Sequence, residues 1–369
     1  MNILIFIIIL GVLIFVHELG HFLLAKWNNI RVDEFALGFP QTLWKKKYGE
    51  TTYKLNAVPF GGYVKIFGEN NESFDEITDS DTQRSFVHKK WWQQISVLVA
   101  GVVFNIIFAM ILFSTTFLIG LPSVIDETNR DNAQDVRFGI AFVEPGSPAH
   151  TSGVTPGDAV VEISYVDESV LSPTVVTNFD EVQQFIIDLE GRTIALMLAD
   201  NNGDTSTVFV TPVYNEESQR YMIGAGFDDI GEVRYGFFTA IGKGFTETIT
   251  MTKLVATGLL SLIGDAFTGD AHIDQLSGPV GIVGLIGDAR DLGMVYILTF
   301  TAFISLNLAV LNILPFPALD GGRVLFVIIE TITGKKIPAS VAGWVNTIGF
   351  GILILLMIVV TIFDVIKLF

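Results

Sequence analysis

From Met1 to Val16 the chain reads MNILIFIIILGVLIFV without a single charge, and the next five residues are His17-Glu18-Leu19-Gly20-His21. Continued to Ala25, this apolar run is long enough to cross a bilayer, whose hydrocarbon core of about 30 Å takes about 20 residues of helix. A chain that enters hydrocarbon must satisfy its backbone internally, so the segment is expected to be helical. Ionisable groups are costly at that depth and mark an inward-facing, functional surface. A secretory leader is the other reading. It fits poorly, because no Lys or Arg precedes the run and no small-residue cleavage site follows it.

Three further runs are apolar enough to span: 95–121, the segment entering residues 292–322, and 346–367. Half of the 369 residues are hydrophobic and the mean hydropathy is +0.53. The expected fold class is therefore a multi-pass α-helical membrane protein of about four transmembrane helices. Cysteine is absent, which excludes disulfides and thiolate metal ligands.

Charge is distributed unevenly. Residues 122–291 hold 8 Lys and Arg against 26 Asp and Glu, whereas residues 26–94 hold 10 against 9. The positive-inside rule places 26–94 and the turn containing Arg323, Lys335 and Lys336 in the cytoplasm, and the acidic stretch outside. The acidic excess argues against a nucleic-acid partner.

Within residues 51–66 (TTYKLNAVPFGGYVKI), Tyr53, Leu55 and Ala57 alternate with polar residues before Pro59-Phe60-Gly61-Gly62 interrupts the run. This is a β-hairpin signature in a cytoplasmic loop. It is read either as a surface hairpin or as a membrane-associated strand edge for an extended substrate, with Tyr53, Leu55, Pro59, Phe60, Gly61 and Gly62 as binding residues. Residues 126–227 combine short strands, Pro-Gly turns and one amphipathic helix, NFDEVQQFIID from Asn178, and resemble a PDZ domain. Another small α+β domain is the alternative. Residues 236–264 have helical spacing and are expected to lie at the membrane surface, with a fifth span as the alternative.

Histidines four apart on a helix share one face, so His17 and His21 can bind one Zn²⁺, and Glu18 can take the proton from a water activated by it. A catalytic zinc takes three protein ligands. His88, His150 and His272 lie in loops or in the acidic stretch, which leaves Asp320 as the third candidate. Its surroundings, Asn312-Ile313-Leu314-Pro315-Phe316-Pro317-Ala318-Leu319-Asp320-Gly321-Gly322, contain two helix-breaking prolines that free backbone near the metal. By topology both halves lie near the cytoplasmic ends of their spans, within reach of water. A helix-ending Asp-Gly turn is the plainer reading of Asp320.

HELGH in a first membrane helix, P-F-G-G in the loop, a PDZ-like insertion, S-G-P-V-G-I at Ser277–Ile282 and N-x-x-P-x-P-x-L-D-G together resemble the site-2 protease family, with its bacterial regulator-of-sigma-E branch. The resemblance spans nearly the whole chain. It implies an intramembrane zinc metalloprotease of the bacterial inner membrane that cuts transmembrane protein substrates, single-pass and already cut once outside. It also implies that Asn312 binds substrate or steadies the reacting carbonyl. Some family members carry two PDZ domains, and this chain has room for one. The insertion would either recognise a new carboxyl terminus, through Met222-Ile223-Gly224-Ala225-Gly226-Phe227, or exclude bulky uncut substrates. Two other classes stand against the protease: a non-catalytic membrane scaffold bearing a PDZ domain, and a zinc transporter. The intact glutamate of HELGH opposes the first. The wholly apolar outer half of the first span opposes the second.

Overall fold

The computed structural model describes the chain except residues 70–81, 145, 168–169, 175, 177, 201–202, 217, 269–277 and 368–369. Ser277, Pro145, Asn201 and Asn202 therefore lie outside the described residues, as do the side chains of Pro59 and Phe60. The chain divides into two compact units, 1–116 with 241–369, and 117–240.

The first unit is built on helices α1 (Asn2–Trp27) and α2 (Trp91–Ile119), with β1 (Val32–Tyr48) and β2 (Thr51–Ile66) between them. Among the described residues, four helices are long and apolar enough to cross a membrane: α1, α2, Met294–Ile313 and Ala339–Lys367. Their outward faces carry large exposed apolar side chains such as Ile3, Ile8, Leu355 and Ile362, which suits hydrocarbon as solvent. At the contact of α1 with α2 the closest approach is made by small residues. A Cβ on Gly20 of α1 would stand 2.5 Å from the Ala100 carbonyl oxygen of α2, so only glycine permits that approach.

Several expectations are corrected. Residues 51–66 are not a hairpin turning at Pro59–Gly62, because the tight turn lies at Gly49-Glu50 and β2 pairs with β1. β2 bends at Gly61, whose φ of 105° is open to glycine, and its two halves flank the first half of β1. Phe35 is thus in register with both Tyr53 and Val64. The sequence hid this because β1 lacks alternation: Phe35 and Ala36 are adjacent and both are buried.

Residues 292–322, read as a third span followed by the LDG motif, divide between helices. α6 (Pro279–Leu292) stops at Gly293, α7 (Met294–Ile313) ends before Pro315, and Asp320 opens a new helix, α8 (Asp320–Thr333). Pro315 and Pro317 force the break. α5 (Phe237–Thr268) precedes them and is not one of the four spanning candidates. α9 (Ala339–Lys367) closes the unit. From α9, the buried Asp364 carboxylate accepts backbone N–H bonds from Gly278 (3.1 Å) and Gly281 (2.8 Å), capping α6.

The second unit is a sheet in the order β3-β11-β4-β5-β7-β8, with β6 (Val170–Thr174) paired to β5, and a separate pair of β9 (Val213–Asn215) with β10 (Arg220–Met222). Its strands include β3 (Leu121–Val124), β4 (Ala133–Val143), β5 (Ala159–Asp167), β7 (Ile194–Ala199), β8 (Thr205–Val210) and β11 (Ala225–Val233). After a single helical turn, α3 (Pro148–Thr151), comes α4 (Phe179–Asp188), capped by Asn178 Oδ1 accepting from Glu181 N at 3.0 Å. Val182 and Ile186 are buried in the core with Ile140, Ile163 and Leu196, whereas Phe179 is exposed.

Truncating the cap as Asp364→Ala leaves two N–H groups without a partner in an apolar setting. Stability should fall by about 1–3 kcal/mol, read as earlier thermal unfolding in detergent. An unchanged transition would contradict the capping role.

Candidate active site

The site is assembled from three helices and one strand. His17 and His21 lie one turn apart on α1, their rings edge to face with centroids 4.8 Å apart. Asp320 comes from the first residue of α8, after a chain reversal in which Ala318 takes a positive φ of 71°. The Ala318 backbone N–H donates to Asn346 Oδ1 on α9 at 3.2 Å. A Cβ on Gly321 would stand 2.2 Å from the Ile313 and Leu314 carbonyl oxygens, so α8 can fold back on α7 only with glycine there.

These elements bring three donors together. His17 Nε2 lies 3.0 Å from Asp320 Oδ2, His21 Nε2 lies 3.3 Å from the same oxygen, and the two Nε2 atoms are 3.2 Å apart. Ligands of a tetrahedral zinc with bonds of about 2.0–2.1 Å stand about 3.4 Å from one another. The donor set, two imidazoles and a carboxylate, and its spacing therefore fit Zn²⁺. The side chains are largely buried, with Asp320 16% exposed.

α2 lies behind the histidines along one stripe of its surface. The Val97 carbonyl oxygen is 2.8 Å from His21 Nδ1 and accepts its proton, which leaves Nε2 free to bind metal. At Gly101, one turn on, a Cβ would stand 2.5 Å from His21 Nε2 and 2.6 Å from His17 Cε1. After a further turn the fully buried Asn105 has Nδ2 3.3 Å from His17 Nδ1, while its Oδ1 has no hydrogen-bond partner.

Glu18 faces the opposite side, into a cavity of about 470 Å³ that is also lined by His17, His21, Gly62, Val64, Asp320 and Arg323. β2 runs directly over α1 here. A Cβ on Gly62 would stand 2.9 Å from Ile14 Cγ2 and 3.0 Å from Glu18 Cγ. The residues Gly62 to Ile66 pair with β1 on one side only among the described residues. Arg323 donates to Glu69 Oε1 at 2.7 Å; burial pushes the Glu69 carboxyl up, against the pull of Arg323.

Of the residues expected from sequence, His17, Glu18, His21, Asp320 and Gly62 meet in this cavity. Tyr53 and Leu55 do not line it. They lie in the other half of β2, beyond the first half of β1, and Tyr53 packs on Phe22 and Phe35. Asn312 is half-buried on the last turn of α7 and does not line the cavity. Sequence reasoning missed Val97, Gly101, Asn105, Asp33, Lys65, Glu69 and Arg323. Only Asn105 carried a signal, as a polar residue inside an apolar span.

Comparison with known proteins agrees with this chemistry. A model of peptidase family M50 matches residues 5–356. A zinc metalloprotease homologue of Clostridium acetobutylicum is 37% identical over 370 residues, covering 99% of this chain and 97% of the relative. One from Clostridium perfringens is 37% identical over 355 residues, covering 96% and 95%. The regulator of sigma-W protease of Bacillus subtilis is 30% identical over 440 residues, covering 99% and 98%. The chain belongs to peptidase family M50 and is an intramembrane zinc metalloprotease.

Proposed function

We propose that this enzyme cuts peptide bonds inside single-pass transmembrane segments whose external part has already been removed. The observation that carries this reading is a strand segment, Gly62 to Ile66, paired on one side only among the described residues and bordering the same cavity as three converging metal-binding donors and Glu18. A soluble peptide already exposes its backbone. A membrane helix hides its carbonyls in internal hydrogen bonds and must be unwound first. Pairing with the Gly62–Ile66 edge would replace the bonds lost on unwinding.

In this reading His17, His21 and Asp320 hold Zn²⁺, which when bound lowers the pKa of water and polarises a carbonyl oxygen. Glu18 takes the proton from the attacking water and returns it to the leaving amine. Asn312, at the end of α7 and outside the cavity lining, would act on substrate only where the substrate reaches beyond the cavity towards α7. The charges lining the cavity, Asp33, Lys65, Glu69 and Arg323, keep it wet at membrane depth. The basic flanks of the spans support a cytoplasmic opening, and the acidic insertion an external domain. The sigma-W regulator among the relatives supports a role in regulated intramembrane proteolysis, with an anti-sigma factor or a signal-peptide remnant as substrate.

The insertion is read as a PDZ-like module that captures the new carboxyl terminus. A groove of about 460 Å³ runs between α4 and β11, lined by Phe179, Val182, Ile186, Ile223, Gly224 and Ala225. β3 pairs only with Ile230–Val233 of β11, so the start of β11 offers an open edge along this groove among the described residues.

Cleavage of a model transmembrane segment by Glu18→Gln should fall by about 10²- to 10⁴-fold with zinc still bound, while Asp320→Asn should lose zinc. Retained cleavage by the first variant, or full zinc content in the second, rules out the assigned role. Adjacent N–H groups of a strand point in opposite directions, so one of Val64→Pro and Lys65→Pro removes an outward donor. That variant should cut the helical substrate about tenfold more slowly; wild-type rates for both would remove the strand from the mechanism. Phe179→Glu, or deletion of residues 126–227, should slow cleavage of substrates with a free apolar carboxyl terminus. Faster cleavage of uncut substrates would instead identify the insertion as a size filter.

A further inference from the structure

The stripe on α2 repeats with the histidines it faces. Val97, Gly101 and Asn105 are spaced by four, as are His17 and His21, and the two helices run antiparallel, so Val97 meets His21 and Asn105 meets His17. Val97 offers a carbonyl oxygen to His21 Nδ1. The Asn105 amide is oriented with its Nδ2 toward His17 Nδ1 at 3.3 Å and its buried Oδ1 unpartnered. That orientation conflicts with the chemistry. His17 Nε2 is the atom that converges with His21 Nε2 and Asp320 Oδ2, so a neutral His17 binding metal through Nε2 carries its proton on Nδ1. Two donors would then face each other. Oxygen and nitrogen of an amide are distinguished by their partners rather than by shape, and turning the amide over removes the conflict.

We infer that Asn105 presents Oδ1 to His17 Nδ1–H and is the positioning residue that fixes this histidine's tautomer and ring plane, as the Val97 carbonyl does for His21. The inference rests on His17 being a metal ligand. The amide is held where this role needs it. Asn105 is fully buried, and its backbone carbonyl accepts from Ser305 Oγ of α7 at 2.8 Å, which fixes this turn of α2 against α7. Gly101 supplies the space that lets both histidines approach. An acceptor at Nδ1 also raises the basicity of Nε2, which strengthens metal binding.

Asn105→Leu keeps the approximate size and removes the acceptor, and leucine suits an apolar helix. Zinc affinity, measured by chelator competition in detergent, should fall about 10- to 100-fold without loss of thermal stability. Asn105→Asp keeps an oxygen in place and should recover most of the affinity, and the visible spectrum of the Co²⁺-loaded protein should shift for Leu and return for Asp. Wild-type affinity in Asn105→Leu overturns the inference, as does an Asp variant that binds as weakly as Leu. His17→Ala separates the ligand assignment from the positioning role. If it binds zinc as tightly as wild type, the ligand assignment itself fails; if it loses zinc while Asn105→Leu does not, only the positioning role fails.

Discussion

The site depends on the backbone of α2 approaching α1 more closely than any side chain would allow. Gly20 faces the Ala100 carbonyl and Gly101 faces both imidazoles, each at a distance a Cβ could not occupy. In lipid there is little hydrophobic force to press two helices together, and contact comes from close packing of small residues with polar groups as glue. Here the glue and the active site are the same atoms. The His21 Nδ1 bond to the Val97 carbonyl joins the helices and also orients a metal-binding nitrogen. The remaining elements follow the same rule, with Gly62 seating β2 on α1, Gly321 folding α8 back on the end of α7, and Gly322 seating it against Phe316 and Pro317.

What could be read from sequence follows from this arrangement. His17, Glu18 and His21 were legible because a fixed covalent spacing puts them on one turn of a helix where charge is otherwise excluded. Asp320 was legible because proline and glycine around it announce irregular backbone at membrane depth. Val97 was invisible because its contribution is a main-chain carbonyl, which any residue provides. α8 was missed because Arg323, Lys335 and Lys336 after two prolines made the stretch read as a cytoplasmic turn, whereas Asp320–Thr333 is helical. The strands were mislocated for a different reason. Alternation reports a sheet with one buried face, and β1 departs from it at Phe35 and Ala36, which are adjacent and both buried.

The inserted unit shows the opposite case, in which local signals suffice. Asn178 followed by Glu181 marks a helix start, and the apolar positions recur at helical spacing. Only Phe179 departs from that face. It lies on the first turn and lines the groove rather than the core, which periodicity alone does not distinguish.

Intramembrane hydrolysis sets two demands that ordinary proteases do not meet together: water at membrane depth, and a substrate backbone freed from its own helix. One ion pair links the parts that answer them. Arg323 lies one turn beyond Asp320 on α8, and its guanidinium bonds Glu69, three residues past the end of β2. The helix that carries the third donor and the strand that borders the cavity are therefore tied to each other as well as to α1. Gly62 lets the strand seat against Glu18 itself, since a Cβ there would stand 3.0 Å from Glu18 Cγ. In the proposed reading, substrate seated on that strand would bear on the same atoms that set the geometry of His17, Glu18 and Asp320, so recognition and catalysis would act on one packed unit.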